Sequence, residues 1–504
     1  MESLSNLAQG FAVALTFHNL AFVLIGVLVG TTFGAFPGLN AATAIALLLP
    51  LTFSLDPTSA VIMLCGIYYG SQYGNSIAAV LLGIPGDSAA VLTSIEGHKL
   101  ALSGRAGHAL TLSAVSSFVG SIIGVVLIAV ASPILADVAL SFGPAEYFAV
   151  VLLGFATLPA FADEGRIKLL VSLGMGLALG VVGQDSTTAT ERFTFGTTEL
   201  LSGIPFVAAI IGLFGIADIF YLCGKQDSDS SRPRAPKLKE LFPAWTDWIF
   251  ARWAMLRGSI VGFMIGVLPG AGATIASFTT YALERQLARD KTGFGQGRID
   301  GLAAAEAGNN GAAIGAMVPL LTLGIPGSTS TAIMFGGFLI WGLQPGPQLF
   351  QNNPEFVWGL IASMLIGNVA LLIICVTMIP MFALTLRIPF SILAPLVIVF
   401  CSFGTYSVNA SFADVWIMFA FGVLGYVMRL VRLPVAPMVL GLVLQPILES
   451  KLRLALTLAG GDLMVFVERP ITAGLLAVAF LLFFGPVLFK AGRLWSMSRT
   501  TSQL

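Results

Sequence analysis

The strongest constraint on this chain is a succession of long apolar stretches with one solvated interruption. Apolar runs cover roughly residues 10–30, 39–54, 58–82, 108–132, 144–161, 166–183 and 203–223. A second set covers roughly 258–270, 271–288, 303–325, 328–343, 355–386, 388–403, 412–428, 433–448 and 470–490. A soluble fold cannot hide that much apolar surface. Of the 504 residues, 57% are hydrophobic and 10% charged, and mean hydropathy is +0.92; an ordinary soluble domain is about 25% charged. Lys+Arg and Asp+Glu balance at 25 each, so there is no basic face for nucleic acid. Gly 56 and Pro 25 are high but carry no G-X-Y period, which excludes collagen, and the apolar remainder excludes disorder. The expected fold class is an all-α polytopic membrane protein. Several runs fall short of the ~20 residues a crossing needs, so some are read as half-helices or re-entrant segments and the crossings number about 11 to 15.

The small counts exclude other classes. Cys65, Cys223, Cys375 and Cys401 lie far apart in apolar runs and read as small hydrophobes. His98 and His108 have no carboxylate or thiol cluster beside them, so no metal site is expected. No Lys or Arg precedes Lys99. The basic start of a cleaved signal peptide is missing, and the first run is expected to remain in the membrane.

The solvated stretch lies mid-chain and divides it. The expected organisation is a first membrane repeat over 1–224, a cytoplasmic linker over 225–246, a second repeat over 247–450, and a loop, extra helix and tail over 451–504. The two sides match in order. Gly34-Ala-Phe-Pro37-Gly38 answers Gly266-Val-Leu-Pro269-Gly270. Gly70-x3-Gly74-x8-Gly83-Ile-Pro85-Gly86 answers Gly311-x3-Gly315-x8-Gly324-Ile-Pro326-Gly327 at identical spacing. Pro144 answers Pro389, Phe161-Ala-Asp163 answers Phe412-Ala-Asp414, and Pro205-x6-Gly212 answers Pro434-x6-Gly441. The run 470–490 has no counterpart. Shared order at similar offsets indicates a duplicated fold.

An odd number of runs before the linker would invert the second copy, and basic residues test this. A cytoplasmic linker puts Lys99 with Arg105, Arg166 with Lys168, the group from Arg285 to Arg298, Arg387, and Arg429 with Arg432 on the inside. The stretches 54–58, 132–143 and 299–386 lack Lys and Arg and fall outside or across the membrane. Arg192, Lys451, Arg453 and Arg469 break the sorting. The expectation is an inverted repeat with the N-terminus periplasmic and the C-terminus cytoplasmic; an even count with parallel repeats stays open.

The paired Pro-Gly motifs mark where chemistry would sit. Proline removes a backbone donor and glycine permits conformations other residues avoid. In a bilayer, broken helices occur only where protein or a watery cavity shelters them, and breaks at matching points of two halves point to a transporter binding site. The substrate candidates are the small polar residues around them: Asn40, Thr43, Tyr73, Asn75, Ser76, Asp87, Ser88, Thr274, Ser328, Thr329 and Ser330. The cation candidates are the break glycines Gly38, Gly86, Gly270 and Gly327 with Glu306, Asn309 and Asn310. A carboxylate inside the membrane is costly enough to suggest a cation or proton site. The same small residues would also serve close helix packing. Asp163 and Asp414 read as helix N-caps. Gly86-Asp87-Ser88 superficially matches a hydrolase block, but no triad histidine accompanies it, and no phosphate-binding Gly-x4-Gly-Lys motif exists. No enzyme and no cofactor is expected, only Na⁺ or H⁺ as a coupling ion.

At these motifs the sequence resembles the large membrane subunit of the tripartite tricarboxylate transporters, the TctA family. The likeness rests on Tyr68-Tyr-Gly-Ser-Gln-Tyr-Gly-Asn75-Ser76, Gly83-Ile-Pro-Gly-Asp87 through Glu96-Gly97, Gly104-Arg105-Ala-Gly107, Gly266-Val-Leu-Pro-Gly270, Glu306-Ala-Gly-Asn-Asn310, and Pro319-Leu-Leu-Thr-Leu-Gly-Ile-Pro-Gly327 on to Gln344-Pro-Gly-Pro347. It spans about residues 15 to 490. Two mild departures are Gly83 and Asp87, where the family often has Asn and Glu, and Gly308, where Ala is common. The resemblance implies a bacterial inner-membrane secondary transporter driven by an ion gradient, usually Na⁺. It also implies a small four-span membrane subunit (TctB-like), a periplasmic solute-binding protein (TctC-like), and citrate or another carboxylate as substrate. Membrane lipid is the remaining partner, and nucleic acid is not one. The alternatives are an ion channel built from the glycine-rich breaks or a carrier that needs no binding protein.

Overall fold

The computed structural model describes residues 2–36, 39–160, 165–185, 187–224, 240–268, 270, 272–385 and 390–484. Seven helices among them are long and apolar enough to cross a bilayer: Phe17–Ala35, Ser88–Leu140, Phe206–Cys223, Trp245–Gly266, Pro354–Thr377, Phe412–Leu430 and Val435–Leu458. Shorter apolar helices cover Ala41–Thr52, Pro144–Leu158, Thr329–Ile340, Ala394–Asn409 and Pro470–Phe484. Among the described residues the sole sheet is a hairpin pairing Gly183 with Arg192 and Gln184 with Glu191. The chain is an all-α polytopic membrane protein.

Two helices that carry polar side chains through the protein interior organise the first of two compact units, Met1–Leu140 with Pro205–Val431. One is Pro57–Leu82, buried from Ser59 to Leu81. Pro57 sits in its first turn and Asp56 caps it, its carboxylate accepting from the Ser59 N–H at 3.0 Å, the arrangement a helix N-terminus favours. The other is Ile299–Gly315, buried from Asp300 onward. Each packs against a glycine-bearing partner. Gly26, Gly30 and Gly34 of Phe17–Ala35 lie on the backbone of Met63, Ile67 and Ser71. At one constant offset, Gly258, Gly262 and Gly266 of Trp245–Gly266 lie on that of Ala304, Gly308 and Ala312. A side chain at these positions would overlap main-chain atoms. Glycine is what lets the helices close to backbone contact, as membrane interfaces favour.

The breaks repeat too. Pro57–Leu82 ends at Gly83 and Met317–Leu323 ends at Gly324, both with φ 68°, the left-handed cap that glycine adopts without strain. Ile-Pro-Gly follows each time. In the first unit Gly212 of Phe206–Cys223 meets Met418 and Gly422 of Phe412–Leu430.

The second unit comprises Ser141–Ile204 and Arg432–Leu504. Here Gly441 of Val435–Leu458 meets Leu173 and Leu177 of Arg166–Gly180. This matches the Gly212 contact of the first unit, with the two halves of the sequence exchanging helices. Asp185, Arg192, Glu449 and Arg453 form one charge network, with Arg192–Glu449 at 3.0 Å, Arg453–Asp185 at 3.1 Å and Arg453–Glu449 at 2.7 Å; Asp185 also pairs with Arg192. Glu146 pairs with Arg469 at 3.0 Å and accepts from Thr472 at 2.8 Å.

Several expectations change. The stretch 132–143, placed outside between two apolar runs, is helical to Leu140 within Ala106–Leu140, with Pro133 inside it. The run 355–386 divides into Pro354–Thr377 and Ile379–Thr385. Asp414 is not the cap of its helix. Ser411 holds that position, and Asp414 lies in the first turn and accepts from Asn409 at 2.8 Å, where an acid is still favoured by the helix dipole. Cys65, Cys375 and Cys401 are buried, but Cys223 is exposed. Asp163, Pro389, Arg387, Gly38 and most of the linker lie outside the described residues.

Candidate functional site

At the first break, Asn40 caps Ala41–Leu48, its side-chain oxygen accepting from the Thr43 N–H at 2.9 Å. The Thr43 hydroxyl donates to Asp218 at 2.7 Å. Asp218 is fully buried and ion-paired with Arg429. Both residues therefore have internal partners that hold the start of this short helix in place. Asn75 is the clip that brings two breaks together. Its amide nitrogen donates to the main-chain oxygens of Gly34 at 3.1 Å and Leu39 at 3.2 Å. Its carboxamide also lies where a side chain on Gly86 would be. Gly34 and Leu39, which flank the first Pro-Gly, and Gly86 of the first Gly-Ile-Pro-Gly thus meet around one buried amide.

The second pair of breaks meets through the main chain. The Gly270 N–H donates to the Gly327 carbonyl at 3.0 Å. Gly327 packs on Ala316. Ser328 caps Thr329–Ile340 in a capping box with Thr331, which leaves Thr329 half-buried in the first turn and Ser330 buried.

The two pairs then touch. Ser88, just past the first Gly-Ile-Pro-Gly, and Thr274, just past the second Pro-Gly, share a hydrogen bond of 2.7 Å between hydroxyl oxygens. Ser88 is exposed while Asp87 and Thr274 are half-buried, so this junction lies at the surface of the chain. On the other side, the Tyr68 hydroxyl approaches Ser328 and Gln72. An anion here would meet hydroxyl, amide and main-chain donors.

Glu306 lies deeper and is fully buried. Its carboxylate accepts from Ser76 at 2.8 Å, from Ser117 at 2.9 Å, and from Thr93. Asn310 donates to the Ser117 hydroxyl at 2.8 Å. No basic group pairs with Glu306 among the described residues. The side-chain oxygens of Asn309, Asn310 and Gln72 are buried and receive no hydrogen bond. The arrangement is a buried carboxylate among neutral oxygens. Tyr73, also fully buried, donates to the Leu110 carbonyl at 3.2 Å.

Sequence reasoning missed Thr93, Ser117, Glu96 and the Asp218–Arg429 pair. The serines and threonines carried no distinguishing pattern. Glu96 had a weak signal, a carboxylate soon after a break. It is fully buried and accepts from the Tyr281 hydroxyl at 2.6 Å and from the N–H groups of Gly295, Gly297 and Arg298 at 2.5, 2.7 and 2.7 Å.

The model of the Tripartite tricarboxylate transporter TctA family matches residues 20–440. The chain is 42% identical over 478 residues, 95% of each chain, to an uncharacterized 52.8 kDa protein in the TAR-I ttuC' 3' region of Agrobacterium vitis. A protein from the TAR-II ttuC' 3' region of the same organism is 43% identical over 217 residues, 43% of this chain and 90% of its own. An uncharacterized protein of Methanocaldococcus jannaschii is 26% identical over 190 residues, 37% of this chain and 46% of its own. No solved structure matches. With the family model covering most of its length and paired helix breaks at its centre, the chain belongs to the TctA family of tripartite tricarboxylate transporters.

Proposed function

We propose that this chain is the large permease subunit of a binding-protein-dependent transporter that takes up a tricarboxylate such as citrate across the bacterial inner membrane, driven by the Na⁺ gradient. It would work with a TctB-like four-span subunit and a TctC-like periplasmic binding protein. The observation that carries the reading is the meeting of four helix breaks through Asn75, the Gly270–Gly327 hydrogen bond and the Ser88–Thr274 pair. Helix ends supply unpaired N–H groups for a carboxylate and free carbonyls for a cation. Lys and Arg are absent from the breaks themselves, so the substrate charge is met by these dipoles and a co-bound cation. The two halves are read as an inverted repeat with the N-terminus periplasmic and the C-terminus cytoplasmic. The matched caps at Gly83 and Gly324 and the exchanged helices support duplication. Arg192, Arg453 and Arg469, which break the basic-residue sorting, are all ion-paired.

The test is uptake of radiolabelled citrate into proteoliposomes holding this chain and its small subunit, with and without the binding protein. An imposed Na⁺ gradient should drive accumulation only when the binding protein is present. Accumulation indifferent to both Na⁺ and H⁺ gradients refutes ion coupling, and single-channel currents refute a carrier.

A further inference from the structure

The short helix Val91–Leu100 is tied at three points. Thr93 donates to Glu306. Glu96, one turn on and therefore on nearly the same face, holds Tyr281 and the N–H groups of the Gly295–Arg298 loop. Before the helix, Ser88 bonds Thr274. The helix thus links the buried carboxylate to the first break. Its neighbours at the carboxylate differ from it. Ser76 and Ser117 stand on long helices, Pro57–Leu82 and Ala106–Leu140, both embedded along much of their length. Thr93 stands on Val91–Leu100, the ten residues that follow the first break, set off from Ala106–Leu140 by the kink at Gly104 (φ 84°).

The charge at Glu306 needs a counterpart. A buried carboxylate without a balancing charge is expensive even when hydrogen-bonded. One carboxylate among neutral oxygens balances one positive charge, whereas a divalent ion would leave an excess. The Asn310 side-chain oxygen is fully buried and unpartnered, and its amide nitrogen holds the same Ser117 hydroxyl that donates to Glu306. It is an acceptor that a dehydrated cation can use and that nothing else satisfies. Tyr73 is the titratable neighbour of Glu306. Glu96 faces the glycine loop, and Glu284 of Gly272–Leu287 is paired with Arg257 at 2.7 Å.

We propose that the Glu306 cluster takes one monovalent metal cation and that Thr93 is the positioning residue that carries its occupancy to the first break. With the pocket empty, three hydroxyls must donate to the carboxylate. With a cation present, they turn lone pairs toward it. Only the Thr93 change reaches the segment that follows the first break, and through Ser88 it alters the junction with Thr274. The inference deepens the transport reading and rests on it.

The test uses the purified full chain in detergent, with ²²Na⁺ binding and hydrogen exchange over residues 83–90 as readouts. The wild type should bind Na⁺ saturably, one ion per chain, and bound Na⁺ should slow exchange at the break. Glu306→Gln should abolish both effects. Thr93→Val should still bind Na⁺, several-fold more weakly, yet lose the protection even at saturation, and Thr93→Ser should restore it. Ser76→Ala should weaken binding but keep protection at saturation, which separates Thr93 from a residue that only lines the pocket. If protection follows pH instead of Na⁺ in the wild type, Glu306 takes a proton and not a ligated cation, and the proposal is overturned. Protection that survives in Thr93→Val, responses unchanged in Glu306→Gln, or a wild type that answers neither Na⁺ nor pH overturns it. Neither readout uses a carboxylate, so failure of citrate uptake is a separate result.

Discussion

Ser88 and Thr274 stand 186 residues apart in sequence, yet their hydroxyl oxygens lie 2.7 Å apart. Each follows a helix break from a different half of the chain, and their bond joins the two halves at the surface of the chain. A single neutral hydrogen bond contributes about 1 kcal/mol. Ser88→Ala or Thr274→Val should therefore raise the half-saturating carboxylate concentration roughly five-fold with expression unchanged. Kinetics of uptake in proteoliposomes measure this, and unaltered kinetics in both variants would remove the pair from the site.

Asn75 and Asn310 should matter in different ways. Asn75→Ala removes the amide that donates to the Gly34 and Leu39 carbonyls, a loss of about 1–3 kcal/mol, and frees the first break from the Gly-Ile-Pro-Gly motif beside it. Thermal stability should fall together with transport. Asn310→Ala removes one donor to Ser117 and one unpartnered oxygen, so transport should fall with little change in melting temperature. Normal transport by both variants would contradict the site assignment.

Glu96 gathers four donors on one buried carboxylate, three of them N–H groups in a loop whose glycines Gly293, Gly295 and Gly297 have φ of 87°, 85° and 99°. Only glycine takes such angles freely, so the loop depends on its anchor. Hydrogen bonds to a charged group contribute about 1.5–3 kcal/mol each. Glu96→Ala should loosen residues 293–298, seen as faster tryptic cleavage at Arg298 and a lower melting temperature. Cleavage as slow as in the wild type would contradict this role.

Asp56 gives a pH signature. Partial burial pushes its carboxyl up, but the hydrogen bonds from Ser59 and the charge of His18 outweigh that and hold it below the ordinary aspartate value. A depressed folded-state pKa stabilises above the unfolded value, and the contribution disappears as pH falls through the folded one. Asp56→Ala should therefore cost about 1 kcal/mol of helix capping at neutral pH, with the gap from wild type closing in acid. A gap constant with pH, read from melting curves, would assign the loss to something other than the charged cap.

Much of this was legible in the residues. The apolar runs dictate the membrane class, because a bilayer accepts only satisfied backbone. The paired Gly-Ile-Pro-Gly motifs end helices in the left-handed caps at Gly83 and Gly324 that their glycines permit. Glu306 stood out because a carboxylate in an apolar run is rare. The partners were not legible. Ser117 and Thr93 look like any small polar residue that lets helices pack, and only the fold brings them to Glu306. Asn40 and Thr43, read as lining the break, have a cap and an Asp218 bond as their contacts. Spacing along a chain does not reveal which donor a distant acceptor will satisfy. The two compact units each draw helices from both sides of the linker, a pairing that the order of the repeats in the sequence does not reveal. Contacts such as Gly212 on Gly422 and Gly441 on Gly176 are set by packing that no local pattern encodes.

The most direct test of the central claim, that the meeting breaks form the transport site, is a cross-link. In a chain with Cys223, which is exposed, replaced by serine, Ser88→Cys and Thr274→Cys should form a disulfide under mild oxidant. Oxidation should stop citrate uptake in proteoliposomes and reduction should restore it, while either single variant transports in both conditions. Full uptake by the cross-linked protein would mean that this junction neither opens nor binds during transport, and would contradict the account.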